Sequence, residues 1–150
     1  MRMLLSLKFG SFSLFFILSF QGNAQLSDSL DNPFKDAPLT FPIVIHYENV
    51  SANISHVSRL RLKVLAEYLQ ENPSYSIVIE GHVCCGPADR LSTKRARAVY
   101  KHLLKLEVNR EQMSYIGKSF SEPIVKVEKN EQDKERNRRV EIELIVPSKR

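Results

Sequence analysis

The chain has 150 residues, a formal net charge of +5, 43% hydrophobic residues and two cysteines. That length allows one domain with a core of its own, and two cysteines exclude the disulfide-stapled scaffold of many small secreted proteins. The charge excess is modest and clustered at 90–105 and 134–139, which points to local anion recognition rather than to nucleic acid.

Arg2 and Lys8 accompany an apolar run, FGSFSLFFILSF at 9–20. The run is short of the roughly 20 residues that span a bilayer. Gly22-Asn23-Ala24 then supplies small residues for a signal peptidase, so 1–24 reads as a signal peptide and Gln25 as the mature N-terminus. Losing Arg2 and Lys8 with the leader lowers the formal charge from +5 to +3. Residues 25–38, QLSDSLDNPFKDAP, are polar with two prolines and read as a linker. The folded domain is expected over 39–147, with 148–150 as a tail.

Phe41, Ile43, Ile45 and Tyr47 alternate with less apolar neighbours and predict a strand over 40–47, with Pro42 near its start. Ile54, Val57, Leu60, Val64, Leu65 and Tyr68 recur at helical spacing until Asn72-Pro73 stops them. YSIVIE at 75–80 has the nearly continuous apolar composition of a strand covered on both faces. It runs into Gly81-His82 and the loop VCCGPAD. A second helix is predicted with Ser92 as its cap and Ala96, Val99, Tyr100, Leu103 and Leu106 as its apolar stripe. A brief strand at 112–116 precedes a loop marked by Gly117 and Pro123. The charged stretch EKNEQDKERN then leads into the clean alternation of Arg139 to Val146, a strand with one wet face. The order β-α-β-α-β-β predicts an α+β fold, an α/β sandwich with a mixed four-stranded sheet and helices packed on it.

With Ser92 as cap, Lys94, Arg95 and Arg97 crowd a helix start that is already positive, at a cost of roughly a few tenths of a kcal/mol each. Either the face is simply solvated, or a bound carboxylate or phosphate restores the balance there. Arginine suits a bidentate grip on a carboxylate. Asn137-Arg138-Arg139 forms a second basic group. His82, Cys84 and Cys85 are metal-competent, but a closed zinc site needs a fourth ligand and His46, His56 and His102 are scattered singly. No metal or cofactor is therefore assigned. The cysteines read as packed thiols or as a reactive pair near a helix start. Adjacent Cα atoms lie about 3.8 Å apart, below the usual disulfide span, so a bond between them is expected to be strained. No GxSxG serine or Gly-rich phosphate loop is present, and paired carboxylates are not expected at the strand ends. The chain does not read as an enzyme.

Four segments resemble the OmpA C-terminal domain family: Ile77 to His82 with its GH ending, Leu91-Ser92-Thr93-Lys94-Arg95-Ala96 (LSxxRA), Glu107 to Gly117, and Asn137-Arg138-Arg139-Val140-Glu141-Ile142 (NRRVEI). The resemblance covers roughly 40–146. It implies an exported, non-catalytic module of the periplasm, associated with the outer membrane, that binds the peptide stem of peptidoglycan. Diaminopimelate in that stem is a zwitterion. In such a family the LSxxRA arginine, here Arg95, takes its carboxylate, and an aspartate two residues after the histidine takes its ammonium. This chain carries Cys84 at the aspartate position, Ala88 where an asparagine is usual, and Asp133-Lys134 in place of a glycine-arginine. The expected ligand-binding set is thus Arg95, Asp89, Ser92, Cys84, His82, Asn137 and Arg138, with Asp89 supplying the missing negative charge. The alternative is that the fold serves contact with periplasmic or outer-membrane proteins, wall binding being lost with the aspartate.

Overall fold

The computed structural model describes residues 39–48, 51–85 and 88–147. The expectations for 1–38 and 148–150 lie outside the described residues. Eight elements follow in chain order: β1 (Ile43–His46), α1 (His56–Glu71), β2 (Ser76–His82), α2 (Asp89–Lys105), a 3-10 turn (Arg110–Gln112), β3 (Met113–Ser119), α3 (Glu131–Asn137) and β4 (Arg139–Ile145). The sheet order is β1-β4-β2-β3. β4 runs antiparallel to both β1 and β2, and β2 pairs parallel with β3, so the four-stranded sheet is mixed as expected.

The register puts apolar side chains of three strands in one layer. Ile142 lies opposite Ile43 on one side and Ile79 on the other, and Val140 lies opposite Ile45 and Gly81. Leu62, Leu65 and Leu69 of α1 and Ala96, Val99 and Leu103 of α2 close over that layer. α1 begins at Ser55, whose hydroxyl accepts from the Ser58 N–H at 3.1 Å, and ends where the Asn72 side chain donates to the Tyr68 carbonyl at 2.8 Å. Its buried residues are Leu62, Val64, Leu65, Ala66 and Leu69; Val57, counted in the expected stripe, stays exposed.

Two expectations need correction. YSIVIE is not covered on both faces: Ile77 and Ile79 are buried, while Val78 and Glu80 sit half-buried on a face that no helix of the described residues covers. The order β-α-β-α-β-β placed no helix between the last two strands, but the charged stretch before β4 forms one. This is α3, whose start is held by the Asn130 side chain accepting from the Asp133 N–H at 2.9 Å. With Asn137 as its one buried residue, α3 offers no apolar stripe to read.

α2 lies directly on the sheet because two glycines let it. A Cβ at Gly81 would fall on the carbonyl oxygen of Ser92, and one at Gly117 on the Ser92 and Thr93 hydroxyls. Gly117 therefore belongs to β3, which extends to Ser119, rather than to a loop. This close approach brings the second turn of α2 against the end of β2.

Candidate ligand-binding site

α2 starts at Asp89, with Ala88 as a cap that makes no side-chain hydrogen bond. Ser92 is thus inside the helix and not its cap, contrary to expectation. Its hydroxyl donates to the Asp89 carbonyl at 2.9 Å and accepts from the Ser119 N–H at 3.2 Å, stitching α2 to the end of β3. Arg95 consequently sits in the second turn, and the argument from cations crowding a helix N-terminus does not apply to it.

Arg95 is instead a core residue, with 0% of its surface exposed. Its Nε donates to the Ser51 carbonyl at 2.9 Å and Nη1 to the His82 carbonyl at 3.2 Å, and the guanidinium lies 4.9 Å from the centre of the Tyr47 ring. Carbonyl dipoles and an aromatic face are what a desolvated guanidinium needs. Burial still pulls its pKa below the ordinary arginine value, and neighbouring Arg138 pulls the same way against Tyr47. The Tyr47 hydroxyl is pushed up to about 12 by burial, with Arg95 opposing.

Arg95 forms part of the wall of an open cavity of about 360 Å³, together with Cys84, Cys85, Glu131, Lys134 and Arg138. Arg138 is 7% exposed; Nη2 pairs with Glu131, Nη1 lies 3.9 Å from the Cys84 sulfur, and Nε is buried with no partner among the described residues. The hydrogen bond from Arg138 holds the Glu131 carboxyl below the usual range. Three cations and one carboxylate line the cavity, so its wall favours an anionic group.

The remaining expected residues scatter. Asp89 is exposed and does not line the cavity. Asn137 is 1% exposed, but its amide is consumed in structure: Oδ1 accepts from the Val125 N–H at 3.0 Å, and Nδ2 donates to the Val125 carbonyl at 2.8 Å and to Glu128 at 2.7 Å. It fastens the loop before α3. Cys84 and Cys85 are bonded to each other, their Cα atoms 3.7 Å apart, in place of the expected packed thiols. A disulfide has no proton to lose, so Cys84 brings no charge to the cavity.

His82 gives its carbonyl to Arg95 but turns its ring away, onto the uncovered face of the sheet. There Nε2 lies 3.8 Å from Glu141, and both ring nitrogens are buried without a hydrogen-bond partner among the described residues. Burial first and Arg139 next lower its pKa, so the ring is neutral at pH 7. The strand parity carried this signal, since His82 shares a face with Glu80. Carboxylates do gather here, against expectation: Glu80, Glu141 and Glu143 bring oxygens within 4.8 Å of one another. Glu131 and Lys134, the cavity residues that sequence reasoning missed, lie in the charged stretch, where nothing in the spacing singles them out.

Residues 47–138 match the OmpA family. The chain belongs to that family. Its fold is similar to that of the peptidoglycan-associated lipoprotein from Burkholderia pseudomallei, with a TM-score of 0.64 and 24% identity over 68% of this chain and 89% of that one. The C-terminal domain of Helicobacter pylori MotB gives a TM-score of 0.64 and 25% identity over 71% of this chain and 86% of that one. No curated protein sequence matches the chain. The mixed sheet with three helices is the fold of these OmpA-like relatives.

Proposed function

We propose that the chain is a non-catalytic, peptidoglycan-binding module of the cell envelope, and that the cavity beside Arg95 takes a carboxylate of the peptide stem. The observation that carries this reading is the composition of the wall: Arg95, Arg138 and Lys134 against a single carboxylate, Glu131. Family membership supports it, as does the likeness to a lipoprotein named for its association with peptidoglycan. A diaminopimelate zwitterion would set its carboxylate against the arginines and its ammonium against Glu131, which lines the cavity, rather than against Asp89, which does not. Residues 1–24 as an export signal and an outer-membrane-associated place in the periplasm belong to the same proposal.

The test is co-sedimentation with purified insoluble peptidoglycan. Wild type is expected to sediment, Lys134→Glu and Glu131→Gln to sediment less, and free diaminopimelate to compete. Arg95→Lys, checked for folding by circular dichroism, is expected to lose most binding because an ammonium cannot keep both the Ser51 and His82 carbonyl contacts that set this wall of the cavity. A second reading rests on the Cys84–Cys85 bond, which leaves the family's aspartate position uncharged: the fold then serves contact with envelope proteins. Failure of the folded wild type to sediment would favour it and remove the first.

A further inference from the structure

The face of the sheet opposite α1 and α2 carries a cluster that the cavity does not use. Ligand atoms of Glu80, His82 and Glu122 all lie within 4.8 Å of one another. Arg139 builds the cluster from below: its Nε donates to Glu141 at 2.6 Å and its Nη2 to the Glu122 carbonyl at 3.1 Å, which fixes the backbone of one carboxylate residue and the side chain of another. Lys118 already places a positive charge at this spot, its Nζ 3.4 Å from Glu80 and 3.1 Å from Glu122. An ammonium satisfies the two carboxylates, but it leaves the imidazole of His82, 1% exposed, with no hydrogen-bond partner on either nitrogen among the described residues. A metal ion satisfies all three groups at once, because it accepts the nitrogen lone pair as well as carboxylate oxygens.

We propose that Glu80, His82 and Glu122 form a binding site for a first-row divalent cation, with the Lys118 ammonium as its competitor. One imidazole and two carboxylates are the mixed N,O donor set that Zn²⁺ or Mn²⁺ takes, whereas Mg²⁺ keeps to oxygen and water. Glu141, 3.8 Å from Nε2, adds a third carboxylate beside the ring. Lys118 is 29% exposed, so its side chain can swing into solvent when the ion enters. The site lies on the other side of β2 from the cavity and does not depend on what the cavity binds.

The full chain, free of affinity tags and with the Cys84–Cys85 bond intact, is titrated with Zn²⁺ by calorimetry, and Mg²⁺ serves as contrast. The expected result is one Zn²⁺ per chain, with binding at least about tenfold weaker in Glu122→Gln and in His82→Gln. Lys118→Met is expected to bind about tenfold more tightly, since it removes the competing charge. Glu122 is 54% exposed, so its variant keeps the test open if the buried His82 variant fails to fold. Absence of stoichiometric binding, unchanged affinity in Glu122→Gln, or Mg²⁺ binding as tightly as Zn²⁺ would each overturn the proposal. So would loss of binding in a Cys84→Ser, Cys85→Ser double variant, which would put the ion on the cysteines and Glu128 instead.

Discussion

The two sides of the last residue of β2 hold their charges by different means. On the cavity side, Arg95 is buried against the carbonyls of Ser51 and His82 and the face of Tyr47. On the open side, Arg139 and Lys118 are met by the carboxylates of Glu141, Glu80 and Glu122. Dipoles hold a guanidinium in place without cancelling its charge, so even with Arg138 paired to Glu131 the cavity side keeps the charges of Arg95 and Lys134 for an anion. Carboxylates do cancel charge, and here three of them outnumber the two cations, so the open side is left with a negative excess that a further cation can meet. The cavity side is accordingly the side to test for carboxylate ligands, and the open side the side to test for cations. The same contrast sets stability: the first side depends on packing, the second on pH.

The largest expected effect comes from Arg95→Ala. It empties a fully buried volume and leaves two carbonyls without their donor, and should cost about 4 kcal/mol in urea unfolding at pH 7. A loss near that of an exposed arginine would mean that the cavity side is not built on this residue. Gly81→Ala comes next at about 3 kcal/mol, because the new Cβ meets helix backbone at Ser92 and α2 must lift off β2. Gly117→Ala should cost less, since two of its three nearest atoms are hydroxyls that can rotate away. Equal losses at the two glycines would show that α2 moves as a rigid body. Asn137→Ala follows at about 2 kcal/mol, from three hydrogen bonds to the loop that carries Glu128. Thermal denaturation of the four variants side by side checks the order.

How far this contrast could be read in advance depended on which residues carried it. Strands and the two long helices were legible because their apolar residues recur with periods that only one structure satisfies; Ile77 and Ile79, or Leu62 and Leu69, have no other place to go. α3 was not legible, since EQDKERN buries only Asn137 and is polar around its circumference. Ser92 misled because a serine before a basic run looks like a cap, and nothing local reveals that Asp89 already begins the helix. Arg95 was singled out as an anion-binding residue on the strength of its place in LSxxRA, yet the physical reason given for it, an overcharged helix start, does not hold. Its burial rests on Ser51, 44 residues away, and such a partner leaves no trace in spacing. The direction of the His82 ring was available from strand parity. What parity could not supply is Glu122, which reaches the same place from the loop after β3.

The smallest effect isolates the open side. Burial and Arg139 lower the pKa of His82 from its ordinary 6.5, against the opposing carboxylates of Glu141, Glu80 and Glu122. Above pH 6.5 the ring is neutral in both folded and unfolded chains, and it contributes nothing to the pH dependence. Below 6.5 the unfolded chain takes up a proton that the folded chain refuses until its own lower pKa is reached, so stability falls with pH across that window. His102 is lowered as well, by burial and then by Arg59, and contributes a similar slope from another part of the molecule. Urea midpoints measured from pH 7.5 to 5 with a chelator present should therefore decline in wild type and decline less in His82→Gln. His102→Gln should remove its own share without altering that of His82. If His82→Gln instead makes the decline steeper, the ring is already protonated in the fold and held by Glu141 as an ion pair. The open side would then be closed to a metal ion, while the cavity side would be untouched.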